Sequence, residues 1–171
     1  MSNVMTPADF GVPDYEGTYL DFLGFGVLEA REGFVRMRMP LKRHHTNTLE
    51  MAHGGIIMSM LDIAGAFSAH VGQSERIVSV TTTQTTSFIR SVTGPELIAE
   101  GRVIRRTRRT AFTQSVILDP SLSDDPDEQI AATAQFTFLL RQRGLYKKLT
   151  IDFRLKEKQP WSPVPAVASV S

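Results

Sequence analysis

The run IIMSMLDIAGAFSAHVG, residues 56–72, constrains this chain more than any other stretch. It contains no proline and no strand-like alternation, and it is long enough for a helix of about four turns. Apolar residues fall on nearly every face of that helix, the pattern of an element enclosed by other structure. The rest of the chain must therefore supply a wrapping. Strand candidates follow at Arg76–Arg90, Glu96–Arg106, Thr110–Asp119 and Gln129–Gln142, separated by short turn signals. Gly94-Pro95 and the Thr107–Arg109 turn predict that these strands are antiparallel neighbours. Ahead of the helix, Phe34, Arg36 and Arg38 alternate with Val35, Met37 and Met39, which predicts a strand pair turning near Glu32-Gly33 after a short helical stretch from Thr18. The expected fold class is α+β, with a curled antiparallel sheet wrapped around one long central helix.

One domain is expected over residues 18–143, with an N-terminal arm (1–17) and a C-terminal extension (144–171) that turns basic and then proline-rich in QPWSPVPAVASVS. PSLSDDPDE reads as an acidic, turn-rich loop between the last two strands. With no cysteine in the chain, a disulfide framework, a thiolate nucleophile and a sulfur-ligated zinc site are excluded. His44-His45 lie side by side in a loop with no carboxylate–histidine helix pair, so no metal and no cofactor are expected. MSNVMTPADF lacks the basic-then-apolar pattern of a signal peptide, which makes the cytoplasm the expected location. The apolar run is interrupted by Ser59 and Asp62 and preceded by His53, too polar and too short to span a bilayer. A formal net charge of +1 implies no global attraction to nucleic acid.

Within the central helix Asp62 stands among Met60, Leu61, Ile63 and Ala64. A carboxylate in such surroundings costs several kcal/mol unless it is paired or hydrated. Two readings account for it: a narrow wet stripe, or a catalytic carboxylate in a dry cleft, where poor solvation makes a better base or nucleophile. His53 at the helix start is the second candidate. Gly54-Gly55 beside it leave backbone N–H groups open to a ligand oxygen, and a carbonyl becoming an oxyanion would be stabilised there by those donors and the helix dipole. A tight loop-to-helix turn is the plainer use of the same glycines. Nine positions separate His53 from Asp62, which on a helix is about 180° of rotation and roughly 13 Å of rise. One chain cannot bring both to the same reacting atom, so a site using both needs two subunits, as in a two-fold dimer.

Asn47, His53-Gly54-Gly55 and Asp62 together resemble the N-x(5)-HGG-x(6)-D signature of the PaaI-like hotdog-fold acyl-CoA thioesterases. The resemblance extends through LGFGVLEAREGFVRMRMP, VSVTTTQTTSFIRSVTG and GRVIRRTRRTAFTQSVILD, roughly residues 20–140. It implies a hotdog fold whose subunits pair edge to edge, as a homodimer or dimer of dimers, with hydrolysis of an acyl-CoA or aryl-CoA thioester across the interface. It further implies that the Gly54 N–H and Asn47 bind the thioester carbonyl oxygen and that His53 shapes that end of the site. Asp62 of the partner subunit would activate water or attack directly, assisted by a small hydroxyl that aligns with Ser79, with Thr81, Thr82 and Thr83 nearby. The family commonly has proline and glycine where Thr48 and Glu50 stand, so Glu50 is expected to strain or remodel that turn if glycine serves a positive φ there. On the substrate side, Arg102, Arg105, Arg106, Arg108 and Arg109 crowd one hairpin; it is either an ordinary solvated turn or a contact for the coenzyme A phosphates, with Arg106, Arg108 and Arg109 as the expected ligands. Gly55, Leu61, Ile57, Met58 and Phe67 are expected near the acyl group. A non-catalytic acyl-CoA-binding or regulatory hotdog protein is the alternative. A dehydratase would need a differently placed His–acid pair, which this sequence lacks.

Overall fold

The computed structural model describes residues 15–73, 77–125 and 127–142; the expected C-terminal extension and most of the N-terminal arm lie outside them. The elements run α1 (Tyr19–Leu23), β1 (Gly26–Arg31), β2 (Phe34–Pro40), a 3-10 turn (Arg43–His45), α2 (Gly54–His70), β3 (Ile77–Phe88), β4 (Glu96–Arg106), β5 (Thr110–Leu118) and β6 (Ile130–Gln142). The six strands form one antiparallel sheet in the order β1-β2-β4-β5-β6-β3. It curls around α2 as expected.

Alternation decides which side of the sheet meets the helix. In β2, Val35, Met37 and Met39 are fully buried while Arg38 is exposed. In β6, Phe136, Phe138 and Leu140 point inward against Met60, Leu61, Ala64 and Phe67 of the core. Each large side chain so enclosed contributes about 1.5–3 kcal/mol relative to exposure. Gly101 of β4 lets the strand pass close beneath the helix; a methyl there would overlap the Ala64 carbonyl.

The expected pairing of β3 with β4 through Gly94-Pro95 is corrected. β3 lies at the far edge against β6, and β4 lies between β2 and β5. The connecting segment is a crossover held by its own hydrogen bonds: Ala52 N–H donates to the Val92 carbonyl, and Leu41 N–H to that of Pro95. The buried Asp119 carboxylate accepts from the backbone N–H groups of Thr93 and Gly94 at 3.0 and 3.2 Å and from Ser121. Burial alone would raise the pKa of Asp119, but these donors hold it below the usual carboxylate range. Turn residues thus mark where the chain bends without saying which strand it bends toward.

Two features position the site. α2 is not enclosed on every side: Gly55 and Met58 are exposed, and Ser59, Asp62 and Ala66 are half-buried along the same stripe. β3 (IVSVTTTQTTSF), without a single charge or proline, leaves its outer edge unpaired among the described residues. Long, uncharged, open edges are templates for pairing with another chain.

Candidate active site

The loop before α2 is organised by Asn47. Its side-chain oxygen accepts from the backbone N–H of Leu49 at 2.8 Å and of Met51 at 3.2 Å, folding the loop back on itself. Two N–H groups on one end of the amide identify that end as the oxygen, leaving the NH2 end as the donor. Nδ2 makes no hydrogen bond among the described residues. Glu50 takes φ 62 in this loop, the left-handed region that costs a non-glycine residue about 1–2 kcal/mol. The strain expected of Glu50 is present, and the Asn47 turn forms regardless.

His45, fully buried, anchors the loop from below. Its Nδ1 accepts from Lys42 N–H, its Nε2 faces the Phe22 carbonyl at 3.3 Å, and its own carbonyl accepts from His53 N–H. Burial lowers its pKa, in keeping with a neutral structural role.

His53 is the N-cap of α2: its Nδ1 accepts from the Gly55 N–H at 2.9 Å. An accepting Nδ1 places the ring proton on Nε2. The two glycines therefore differ. Gly55 has its N–H occupied by the cap, whereas the Gly54 N–H has no acceptor among the described residues. Nor does the fold demand glycine at 54, since a methyl there would meet only the Phe88 ring at 3.6 Å, an ordinary contact. An open N–H at the start of a long helix is suited to an oxygen that gains negative charge.

Asp62 lies two turns further along α2, half-buried on the open stripe. The Thr81 hydroxyl of β3 donates to its Oδ1 at 2.6 Å. Burial raises the pKa of Asp62, and the Thr81 hydrogen bond opposes that rise. The hydroxyl that meets the carboxylate is thus Thr81, two residues beyond the expected Ser79, which shares its inner face opposite Leu140. A β-bulge between Thr81 and Thr83 carries Thr82 outward to bond the Thr137 carbonyl. Oδ2 of Asp62 has no hydrogen bond among the described residues. Within one chain, eight helical positions separate Asp62 from Gly54, about 12 Å of rise.

Two further expectations need correction. Leu61 is fully buried in the core, as are Ile57 and Phe67 to within a few per cent, so Met58 alone of the helix side chains named for the acyl group reaches the surface. The arginine hairpin is divided by strand alternation. Arg106 pairs opposite buried Ala111, half-buried near Glu32 and His70 at the C-terminal end of α2, and burial lowers its pKa while Glu32 raises it. Arg105, Arg108 and Arg109 are exposed. Among the described residues no group of three or more metal-ligating side chains comes together, and no helix is long and apolar enough to cross a membrane.

Comparisons with known proteins agree with this architecture. The family model described as thioesterase superfamily matches residues 49–121, from the Asn47 loop through β5. A protein of Archaeoglobus fulgidus, provisionally described as an esterase, is 29% identical over 92 residues, 53% of this chain and 58% of that relative. The match thus spans less than two thirds of that relative's own length. A thioesterase family protein from Silicibacter pomeroyi superposes with a TM-score of 0.67 at 19% identity, covering 79% of this chain and 98% of that one. A Ralstonia eutropha protein provisionally described as a thioesterase related to phenylacetic acid degradation gives 0.60 at 20%, covering 70% and 86%. At such identities the structural likeness speaks for the fold.

Proposed function

We propose, from the premise that this chain carries the hotdog fold and, over residues 49–121, the sequence pattern of the thioesterase superfamily, that it is a PaaI-like hydrolase of acyl-CoA thioesters working as a homo-oligomer. Ester or thioester hydrolysis is the general chemistry that the family match supports; the acyl-CoA substrate and the two-chain site are the finer reading. The observation that carries it is the pair of half-sites on one helix: an open Gly54 N–H at one end, entered from the loop that the Asn47 amide folds, and an Asp62 carboxylate oriented by Thr81 farther along. Neither half is sufficient. A second copy joined across the uncharged β3 edge, with its α2 antiparallel to the first, brings the Asp62 of one chain toward the Gly54 of the other.

In such a site the thioester carbonyl oxygen lies between the Gly54 N–H and the Asn47 Nδ2. A water gives its proton to Asp62 and its oxygen to the carbonyl carbon, and the resulting oxyanion is held by the two donors. Collapse breaks the carbon–sulfur bond, and the coenzyme A sulfur takes up the proton that Asp62 accepted. Arg108 and Arg109, exposed at the hairpin, are the candidates for the coenzyme A phosphates. Arg106 has buried surroundings of its own. A binding-only reading would draw on Glu50 disrupting the motif loop, but the Asn47 turn forms with Glu50 in place.

A thiol-release assay over acetyl-, octanoyl-, palmitoyl- and benzoyl-CoA tests the reading. At least one ester is expected to turn over, with Asp62→Asn reducing kcat by about 10²–10⁴ while binding persists. Binding of all four without thiol release would leave the non-catalytic alternative, and wild-type turnover in Asp62→Asn would remove the carboxylate from the mechanism.

A further inference from the structure

Phe88 ends β3 on the inner face of the sheet, opposite Ala132 of β6. An aromatic side chain there would ordinarily join the core, yet 53% of Phe88 remains exposed. Its ring edge stands at Gly54, with Cε1 and Cζ each 3.6 Å from the point a Gly54 Cβ would occupy. The ring therefore lines the side of Gly54 toward which a Cβ would point, at the residue whose N–H is open. Other exposed apolar side chains share this end of the helix. Met58, 39% exposed, is one turn beyond Gly54 on the same face, and Leu49, 72% exposed, sits on the turn that the Asn47 side chain folds. The guanidinium groups nearby are engaged with backbone: Arg43 donates to the Asn47 carbonyl and Arg90 to the Glu128 carbonyl.

We infer that Phe88 is the specificity-determining residue for the acyl group: its ring is the wall against which the first carbons beyond the thioester carbonyl pack, selecting an apolar acyl group of several carbons over acetyl. The inference rests on the acyl-CoA reading and deepens it. A carbonyl oxygen held by the Gly54 N–H places its substituent within reach of a ring that stands 3.6 Å from where a Gly54 Cβ would be. An acetyl group is too short to gain from such a wall, whereas a chain or aryl ring replaces the water over the exposed face. An aromatic acyl group would add offset stacking, which a straight chain cannot.

The test compares kcat/KM for acetyl-, octanoyl- and benzoyl-CoA in the wild type, Phe88→Ala and Phe88→Leu, alongside calorimetric binding of the non-hydrolysable S-ethyl- and S-octyl-CoA. The exposed position at a strand end makes both variants tolerable to the fold; Phe88→Leu keeps apolar bulk should alanine loosen the edge. In Phe88→Ala the octanoyl-to-acetyl ratio of kcat/KM and the S-octyl-to-S-ethyl affinity ratio are each expected to fall about tenfold. Phe88→Leu is expected to keep the octanoyl preference, with a loss for benzoyl alone marking stacking as part of the recognition. Unchanged ratios in both variants would overturn the inference, as would a weakened dimer with unaltered ratios, which would make Phe88 an interface residue. If the wild type releases no thiol from any ester, the hydrolase reading fails, and the thioether affinities still decide whether Phe88 selects the acyl group.

Discussion

Replacing Gly54 with alanine separates what the fold needs from what the reaction needs. Gly54 is the first residue of α2, its φ is not positive, and an added methyl would touch only the Phe88 ring at 3.6 Å. Helix propensity favours alanine over glycine by up to about 1 kcal/mol, so Gly54→Ala should leave stability equal or slightly higher. The ligand side carries the opposite expectation. If the thioester oxygen approaches the Gly54 N–H, a methyl on that residue crowds the approach. Losing the benefit of one oxyanion donor lowers kcat by about 10²–10³. Urea unfolding midpoints and a thiol-release assay on the same preparation read both quantities. A variant at least as stable as the wild type but slower by about two orders of magnitude fits the argument. Full turnover in Gly54→Ala would show that a methyl here crowds no approaching oxygen, and the glycine at 54 would revert to an accident of the turn.

Glu50→Gly should relieve the left-handed strain at φ 62 and stabilise the fold by about 1 kcal/mol in urea titrations, without loss of activity. Thr81→Val removes the hydroxyl that favours the ionised form of Asp62, so the pKa of Asp62 should rise further and the acid limb of the kcat–pH profile should move to higher pH. An acid limb that stays in place would detach Thr81 from the carboxylate. His70, pushed down to about 4 by burial and by the charge of Arg106, stays neutral in the folded chain while the unfolded chain protonates below its ordinary value of 6.5. Stability should therefore fall as pH drops from about 6.5 toward 4, by about 3 kcal/mol in total, and His70→Gln should flatten that decline in thermal melts.

The sequence made the strand limits and the central helix legible because burial imposes a period of two on β2 and β6, whereas α2 is buried on all but one narrow stripe. What it left open was partnership. The bend at Gly94-Pro95 read as a hairpin, whereas the chain crosses to a different neighbour; the capture of Thr93 and Gly94 by Asp119 depends on a residue far along the chain. The same limit applied at the site. Asp62 stood out as a lone carboxylate among apolar neighbours, but its hydroxyl partner lay in a run of threonines that carry no mark of register, and Thr81, on the same face as Ser79, makes the contact. Leu61, next to Asp62 in sequence, is about 100° around the helix and faces the core instead. Arg106 differs from Arg108 only in position, and strand alternation turned it inward beside Glu32 and His70. Phe88 gave no signal, since an aromatic residue at a strand end ordinarily means core.

The two-chain site is the central claim, and subunit mixing tests it most directly. Asp62→Asn lacks the carboxylate and Asn47→Ala lacks the amide donor, so each alone should be nearly inactive. Equal amounts, mixed under conditions in which mass spectrometry verifies subunit exchange, give one intact site in every mixed dimer. Random exchange should therefore restore about a quarter of wild-type activity. If mixed dimers form and the activity stays at the level of the separate variants, Asp62 and Asn47 act within a single chain, contradicting the account.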